Sequence, residues 1–273
     1  MKENFSFVKM QASGNDFILI NNFSREISAE EGRELARRLC RRRLSVGADG
    51  LILLEPPEDP AHAFRWRFFN ADGSEAEMCG NGGRCAARFA VEEGLARARL
   101  SFETLAGVIR AEVQGSRVKV TLTPPQGLAL RMELWVGERP LTVHFVNTGV
   151  PHAVVLVEHL EEVPLESLGP LLRRHERFSP AGTNVNFVKI LSDREIALRT
   201  YERGVEGETL ACGTGAAASA LISTELGRTH FPVRVHTRGG EVLTIHREGE
   251  TLLLEGETRR LYRGLLHREA LLD

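Results

Sequence analysis

Two cysteines stand out because each occurs in the same local pattern. Cys79 and Cys212 are each followed by Gly-x-Gly and then by a run of small residues typical of a helix. A thiol just before a helix lies beside free backbone N–H groups and the positive end of the helix dipole, which favour the thiolate. The glycines let a ligand approach the backbone, and a helix N-terminus binds carboxylates. Such a site can supply a nucleophile, a base or an anion pocket.

The two cysteine patterns belong to a longer internal repeat. Cys212 lies 133 positions after Cys79, and the same shift aligns further residues without a gap. A repeat offset close to half the chain length predicts a duplicated domain. The aligned pairs are Glu75 and Glu208, Gly80 and Gly213, Gly82 and Gly215, Ala87 and Ala220, Glu92 and Glu225, Gly94 and Gly227, Thr104 and Thr237, and Gly107 and Gly240.

Two such helix starts on paired domains suggest acid–base chemistry at one carbon. If they face each other across a cleft, one sulfur lies on each side of a bound ligand. A thiolate can then remove a proton from the carbon while a thiol delivers one to the opposite face. The result is inversion of that carbon by two bases whose pKa values suit neutral pH.

The lysines argue against pyridoxal phosphate, the usual means of acidifying an amino-acid α-carbon. That cofactor needs a Schiff-base lysine, and the chain has only four lysines. Lys119 and Lys189 fall in alternating strand patterns, while Lys2 and Lys9 are N-terminal. We therefore expect no cofactor, with N–H groups at the helix N-termini stabilising the carbanion through the substrate carboxylate.

The composition limits the classes of partner that the protein is expected to bind. The 273 residues are 42% hydrophobic and 26% charged, with a net charge of −2, so a packed core is expected and a nucleic-acid partner is not. No apolar run approaches the roughly 20 residues that cross a bilayer, and the N-terminus lacks a signal-peptide pattern. We expect a cytoplasmic protein with no membrane partner. Four cysteines without a CxxC pair predict neither a disulfide framework nor a metal site.

Short apolar strands alternate with a few helices. Ser28 with Glu31 forms a capping-box pattern that predicts a helix to about residue 43. Further helices are predicted from Gly82–Gly83 to Gly94, over 165–174 and over 215–226, and residues 123–127 are the candidate crossover between the halves. Strands are predicted at 5–10, 17–21, 51–54, 64–69, 100–104, 108–113, 118–122, 141–146, 153–157, 184–190, 195–201, 233–236, 241–246, 251–255 and 261–265.

Seven ordered motifs identify a resemblance. They are SGNDF at 13–17, GADG at 47–50, FNADGSE at 69–75, MCGNGGR at 78–84, NTGVPH at 147–152, NVNF at 184–187 and YERGVEGETLACGTG at 201–215. With these motifs the chain resembles the diaminopimelate epimerase family over essentially its whole length. The resemblance implies cofactor-independent epimerisation of LL- to meso-2,6-diaminopimelate by two cysteines, in lysine and peptidoglycan precursor biosynthesis.

The resemblance and the repeat also imply an architecture. We expect an α/β fold of the α+β type with two pseudo-symmetric domains, each a curved, mostly antiparallel sheet or barrel around a central helix. The N-terminal half is placed at 1–124, with 258–273 returning to it, and the C-terminal half at 125–257. The active site is expected at their interface and is expected to close on the ligand. A homodimer is expected, with Tyr262 as a candidate contact.

The family's functional positions transfer by motif. Cys79 and Cys212 correspond to the acid–base pair, and His152 and Glu202 to the residues that tune these thiols. Some members have Gln at Gly50 and Asn at Val150, so this chain offers no polar side chain at those two positions. The substrate contacts fall on Asn15, Asn70, Gly80, Asn81, Asn186, Glu202, Arg203, Gly213 and Thr214.

Other functions remain open at this stage. Within the fold, the alternatives are a proline or hydroxyproline racemase and a phenazine-type isomerase. A thiol hydrolase or acyltransferase would use one cysteine as nucleophile with His152, and a redox protein would join Cys79 and Cys212 reversibly. Cys40 and Cys85 are interpreted as buried packing residues.

Overall fold

The strands divide between two structural units. The computed structural model describes residues 4–137 and 139–271. Unit 1 extends to Val120 and resumes at Glu257, and unit 2 comprises Thr121–Gly256. The sequence places the division instead at 124/125 and 257/258, and the interpretation of the units as two epimerase halves stays a prediction.

Unit 1 is a sheet in which helices connect the parallel neighbours. The strand order is β17-β1-β2-β3-β4-β5-β6-β7, antiparallel except for β2–β3 and β4–β5. Helix α1 lies between β2 and β3, and α2 between β4 and β5, because parallel neighbours need a long crossover. The elements are β1 Asn4–Ala12, β2 Asn15–Asn21, α1 Ala29–Leu39, β3 Gly50–Glu55, β4 Phe64–Asn70, α2 Gly80–Glu92, β5 Arg99–Thr104, β6 Gly107–Gln114, β7 Arg117–Thr121 and β17 Arg259–His267, followed by a 3-10 turn at Arg268–Leu271.

Unit 2 follows the same plan. Its strand order is β8-β9-β10-β11-β12-β14-β15-β16, with short β13 also paired to β12 and with β10–β11 and β12–β14 parallel. Helices α3 and α4 make the two crossovers. The elements are β8 Gln126–Val136, β9 Arg139–Asn147, β10 Pro151–Leu156, α3 Leu165–Arg173, β11 Asn184–Ser192, β12 Glu195–Glu202, β13 Gly207–Thr209, α4 Gly213–Glu225, β14 Val233–His236, β15 Val242–Glu248 and β16 Thr251–Glu257, with 3-10 turns at Leu160–Glu162 and Glu176–Phe178.

The second crossover helix of each unit matches the repeat in the sequence. Helices α2 and α4 both have 13 residues, begin 133 positions apart, and have Cys79 and Cys212 as their N-caps. Both are followed by a glycine in the left-handed region, Gly94 at φ 72° and Gly227 at φ 71°. The offset therefore relates equivalent positions of two similar structures.

Each of these helices lies against the strands of its own unit. Helix α4 contacts β9, β10, β11, β12, β14 and β15, and its residues from Gly215 to Ser223 are buried on every side. Helix α2 contacts β1, β2, β3 and β6. Most residues of α2 are buried as well, so in each unit the sheet packs around a central helix. The fold is mixed and sheet-rich, of the α+β type.

The predicted elements match the observed ones except at some helix ends and at two strands that were not predicted, β8 and the short β13. The capping box of Ser28 and Glu31 is present, but α1 ends at Leu39, before the end predicted near residue 43. Helix α2 begins at Gly80, two residues before its predicted start, because Cys79 itself caps it. Strand β8 was not predicted: most of its residues are exposed or half-buried, so charged positions dilute its apolar pattern. No helix in the described part of the chain is long and apolar enough to cross a membrane.

Candidate active site

Cys79 occupies the capping position of helix α2. Its backbone is extended, with φ −146° and ψ 117°, and its Sγ accepts a hydrogen bond from the Gly82 N–H at 3.4 Å. The sulfur thus takes the place usually held by a Ser, Thr, Asp or Asn oxygen. A backbone N–H aimed at sulfur at the positive end of a helix favours the thiolate. Cys79 is half-buried.

A directed chain of hydrogen bonds fixes two amides of unit 1. Asn15 Nδ2 donates to Asp49 Oδ2 at 3.0 Å, Asn81 Nδ2 donates to Asn15 Oδ1 at 2.7 Å, and Asn81 Oδ1 accepts from Arg84 Nη2 at 2.6 Å. A carboxylate only accepts and a guanidinium only donates, so each amide has one possible orientation. The same Arg84 Nη2 donates to Ser13 Oγ at 2.6 Å. Two predicted substrate contacts are therefore held in a defined orientation.

An ion cluster supports the Asp49 end of this chain. Arg42 lies 2.6 Å from Asp16 Oδ1 and 2.9 Å from Asp49 Oδ1, and Lys9 lies 2.8 Å from Asp16 Oδ2. Burial alone would raise the pKa of Asp16, but its hydrogen bonds to Arg42 and Lys9 outweigh that effect and lower it. Asp16 is therefore an anion at neutral pH.

Asn70 and Gly50 face each other across the ends of two strands. They are partners in the register of β3 and β4, and Asn70 Nδ2 donates to Ser74 Oγ at 3.0 Å. A Cβ at Gly50 would lie 2.5 Å from the Phe68 ring and 2.8 Å from the Phe69 carbonyl oxygen. In this chain, packing therefore excludes a side chain at position 50.

Cys212 caps α4 with a similar backbone but a different partner for its sulfur. Its φ is −125° and its ψ 110°, and Sγ lies 3.5 Å from Thr214 Oγ1. The side chain is buried. A Cβ at Gly215 would lie 3.3 Å from the Cys212 sulfur and 2.4 Å from Asn186 Oδ1. The glycine is what permits Asn186 to approach the helix start so closely.

His152 links Thr214 to the interior of unit 2. Its Nε2 lies 2.9 Å from Thr214 Oγ1 and its Nδ1 lies 3.0 Å from Asn186 Nδ2. The imidazole is fully buried. Burial, together with the positive charge of Arg203, lowers the pKa of His152 to about 3, so the ring is neutral at physiological pH.

Glu202 is the last residue of strand β12, and Arg203 follows it. Burial raises the pKa of Glu202, which brings its titration closer to neutrality. The Arg203 backbone N–H donates to Asn184 Oδ1 at 2.7 Å, and its Nη1 donates to the Ala181 carbonyl at 3.1 Å. Both side chains are half-buried.

Among the sequence-predicted residues, Asn186 needs a correction. Its side chain is fully buried, and both amide hydrogens are used, by Ala153 O at 3.2 Å and by His152 Nδ1. Its Oδ1 accepts from Thr200 Oγ1 at 2.9 Å. Asn186 is therefore placed behind His152, not as a direct substrate contact.

The structure brings some predicted residues together within each unit. Asn15 and Asn81 meet beside the Cys79 helix, and His152 and Thr214 meet beside Cys212. Gly80 and Gly213 are the first residues of their helices. Sequence reasoning gave no role to four supporting residues. Three of them lie inside the family motifs, but their contacts come mostly from the folding of the chain: Ser13, Asp49, Arg84 and Thr200.

The remaining candidates lie elsewhere. Tyr262 is 47% exposed and packs edge-to-face on Phe7, with ring centroids 5.9 Å apart. Cys85 is buried inside α2. Burial raises the pKa of Cys40 to about 12, which disfavours its thiolate. No group of three or more His, Cys, Asp or Glu residues within 4–137 and 139–271 could hold a metal ion.

Solved structures define the class of fold. A phenazine biosynthesis protein of the PhzF family from Bacillus anthracis superposes with a TM-score of 0.73 at 15% identity, covering 97% of this chain and 99% of its own. A hydroxyproline epimerase from Agrobacterium vitis, solved with bound trans-4-hydroxy-L-proline, has a TM-score of 0.71 at 16% identity, covering 98% and 94%. These similarities confirm the predicted α+β fold.

Sequence relatives define the family more narrowly. The diaminopimelate epimerase family model matches residues 7–127 and 144–261. The diaminopimelate epimerase of Aquifex aeolicus is 49% identical over 97% of this chain and 99% of its own length. That of Hydrogenobaculum sp. is 46% identical over 96% and 98%. The chain belongs to the diaminopimelate epimerase family and is an isomerase, as the motifs predicted.

Proposed function

We propose that the protein interconverts LL- and meso-2,6-diaminopimelate without a cofactor, using Cys79 and Cys212 as two bases. The observation that carries the proposal is the matched placement of these cysteines as N-caps of two 13-residue helices. Both relatives described above carry the name of this activity. The distinct partners of the two sulfurs also suit a pair in which one is thiolate and the other thiol.

The proposed reaction moves one proton off the carbon and another onto it. The thiolate takes the α-proton, and the electron pair of the broken C–H bond delocalises into the substrate carboxylate. Free N–H groups at a helix start stabilise that charge. The thiol of the second cysteine then protonates the opposite face of the carbon. The reverse reaction exchanges the two roles, so each turnover interchanges thiol and thiolate.

The other residues of the proposed site bind or tune. Diaminopimelate has two carboxylates and two ammonium groups, and amides offer both donors and acceptors to such a zwitterion. Arg203 is proposed to clamp the distal carboxylate through two parallel hydrogen bonds. His152 and Glu202 are proposed to tune the thiols. The direct contacts proposed are Asn15, Asn70, Gly80, Asn81, Glu202, Arg203, Gly213 and Thr214.

The wider biology is proposed from the family. We place the reaction in lysine and peptidoglycan precursor biosynthesis, in the cytoplasm. A homodimer is proposed with exposed Tyr262 as a contact, and mass photometry of wild type and Tyr262→Ala tests it. If wild type and Tyr262→Ala form dimers that dissociate to the same extent, Tyr262 is not an interface contact.

The decisive test follows the α-proton. Purified, reduced protein is incubated with LL-diaminopimelate in deuterated water without pyridoxal phosphate, and the α-proton signal is followed by NMR. We expect deuterium at the α-carbon of newly formed meso product, because the delivered proton comes from a solvent-exchanged thiol. If folded, reduced protein leaves the α-proton signal unchanged, diaminopimelate is not the substrate.

The alternatives enter as arms of the same assay. Proline and hydroxyproline are tested in parallel, because the hydroxyproline epimerase of Agrobacterium vitis shares the fold. Exchange with these substrates but not with diaminopimelate would favour a racemase of cyclic amino acids. A stable covalent adduct found by mass spectrometry would instead favour a single nucleophilic cysteine.

A further inference from the structure

The hydrogen bonds around Asn186 have only one consistent direction. The Ala153 carbonyl oxygen can only accept, so the Asn186 atom 3.2 Å from it is the amide nitrogen. That nitrogen also lies 3.0 Å from His152 Nδ1. An amide nitrogen has two hydrogens and no lone pair to offer, so Nδ1 must accept. Thr200 Oγ1, 2.9 Å from Asn186 Oδ1, holds the other end of the amide in place.

The orientation of Asn186 then fixes the proton on the imidazole. If Nδ1 accepts, the neutral ring carries its proton on Nε2, which lies 2.9 Å from Thr214 Oγ1. Thr214 Oγ1 therefore accepts from the ring. Its own hydrogen is left to donate, and the Cys212 sulfur lies 3.5 Å away. The other tautomer would point two N–H donors at each other inside a fully buried cluster, which is strongly unfavourable.

We propose that Asn186 is a positioning residue that fixes the tautomer of His152, so that the Thr214 hydroxyl donates to the Cys212 sulfur and favours its thiolate. The catalytic meaning of this relay rests on the proposed function. The relay runs from Thr200 on β12 through Asn186 on β11 and His152 on β10 to the start of α4. Asn186 acts through other residues because it has no exposed surface.

The first test observes the proton directly. Protein labelled with ¹⁵N-histidine is examined by NMR at neutral pH, and His152→Gln assigns the His152 signal. We expect wild-type Nε2 to be protonated and Nδ1 to be bare. In Asn186→Leu, which removes both amide donors, we expect Nδ1 to become partly protonated. A wild-type ring with its proton on Nδ1 would overturn the proposal without any variant.

The second test measures the thiolate. Each protein is treated briefly with iodoacetamide, and peptide mass spectrometry gives the alkylation rates of Cys212 and Cys79 in one sample. A hydrogen bond to an anion is worth about 1.5 kcal/mol or more, so Asn186→Leu and Thr214→Val should slow Cys212 about tenfold. Thr214→Ser, which keeps the hydroxyl, should retain the wild-type rate. Cys79 should be unchanged throughout.

A matched control separates this role from general destabilisation. Thr229 is fully buried beyond the other end of α4, where its hydroxyl lies 3.0 Å from Thr224 Oγ1. Thr229→Val removes a buried hydroxyl of the same unit and should leave both the His152 tautomer and the Cys212 rate unchanged. Equal slowing in Thr229→Val and Asn186→Leu would mean that Asn186 is merely structural.

These measurements need no substrate. If Asn186→Leu does not fold, the wild-type tautomer and the Thr214→Val and Thr214→Ser pair still decide the question. A failed diaminopimelate assay with an intact relay would refute the proposed function alone. Epimerisation with an unchanged Cys212 rate in Thr214→Val would refute the relay alone.

Discussion

Cys79 and Cys212 occupy equivalent positions, yet their sulfurs have different partners. Cys79 accepts a backbone N–H from Gly82, so its partner comes from the helix that it caps. The Cys212 sulfur lies beside the Thr214 hydroxyl. That hydroxyl is connected through His152 and Asn186 to Thr200, and these three residues lie on three different strands of unit 2. The repeat therefore conserves the place of the sulfur, whereas these neighbours of the two sulfurs differ.

The residue two positions after each cysteine explains part of this difference. Asn81 and Thr214 correspond in the repeat, but Asn81 points into the chain from Asp49 to Arg84, while Thr214 faces both His152 and Cys212. In unit 2 the sulfur is thus connected to an imidazole through the Thr214 hydroxyl. We infer that the two bases respond differently to the same kind of substitution.

The largest expected effect comes from removing either sulfur. Cys79→Ser and Cys212→Ser should each lower the rate of meso product formation by about 10²–10⁴, the usual contribution of a general acid or base, because a hydroxyl is a far weaker acid than a thiol. Initial rates from LL-diaminopimelate measure this. Cys85→Ala, a buried thiol in the same helix as Cys79, is the control and should keep the wild-type rate. If either serine variant keeps the wild-type rate, the two cysteines do not have equivalent roles in the reaction.

Arg84 should matter most for the order of unit 1. It is fully buried and donates to Ser13 Oγ, Asn81 Oδ1 and the Glu257 carbonyl. Arg84→Met leaves these acceptors without that donor, so we expect a loss of about 3 kcal/mol in the free energy of unfolding and a higher KM.

Arg88 provides the matched control for Arg84. It lies one turn later in α2 and binds Glu92 and Thr258 nearer the surface. Arg88→Met should cost about 1 kcal/mol or less with no change in KM. Urea unfolding and steady-state kinetics of the two variants check this. Equal shifts in KM would show that Arg84 does not orient Asn81 for substrate.

Acid should distinguish the units through His152. Its pKa is 6.5 when unfolded and about 3 when folded, so the unfolded state binds the extra proton. Stability is full above pH 6.5 and is lost as the pH falls towards 3, by about 2 kcal/mol at pH 5. The lowered pKa of Asp16 in unit 1 acts only below its ordinary value of 3.8.

His152→Gln tests the assignment of this acid sensitivity. Glutamine does not titrate, so the variant should lose less stability than wild type between pH 7 and pH 5. Urea unfolding at both pH values measures the difference. Parallel losses in the two proteins would assign the acid sensitivity to other groups.

The sequence was most informative where partners are local. The capping box at Ser28 and the Cys-Gly-x-Gly starts predicted α1, α2 and α4 because a helix N-terminus is decided by residues within one turn. The family motifs added His152, which spacing alone could not distinguish from a loop histidine.

The supporting residues could not be predicted for the opposite reason. An arginine inside a helix ordinarily faces solvent, so nothing local marks Arg84 as fully buried. Asn186 was interpreted as a substrate contact because the family's functional positions were transferred onto its motif. Only the pairing of β10, β11 and β12 shows that its amide is used by Ala153, His152 and Thr200.

The smallest effect is expected from two matched substitutions at the helix starts, Gly82→Ala and Gly215→Ala. A Cβ at Gly82 would meet Ile52 Cδ1 at 3.2 Å, a side-chain end that can shift, whereas a Cβ at Gly215 would lie 2.4 Å from the buried Asn186 Oδ1. Alanine gains up to about 1 kcal/mol over glycine in a helix, but overpacking costs about 1–3 kcal/mol.

Gly82→Ala should therefore be nearly neutral, and Gly215→Ala should lose about 1 kcal/mol net in urea unfolding. Because the added methyl displaces Asn186, Gly215→Ala should also slow alkylation of Cys212 while Cys79 reacts as in wild type. Gly82→Ala should leave Cys212 unaffected. Equal costs and equal alkylation rates in the two variants would mean that the two sulfurs are held in the same way after all.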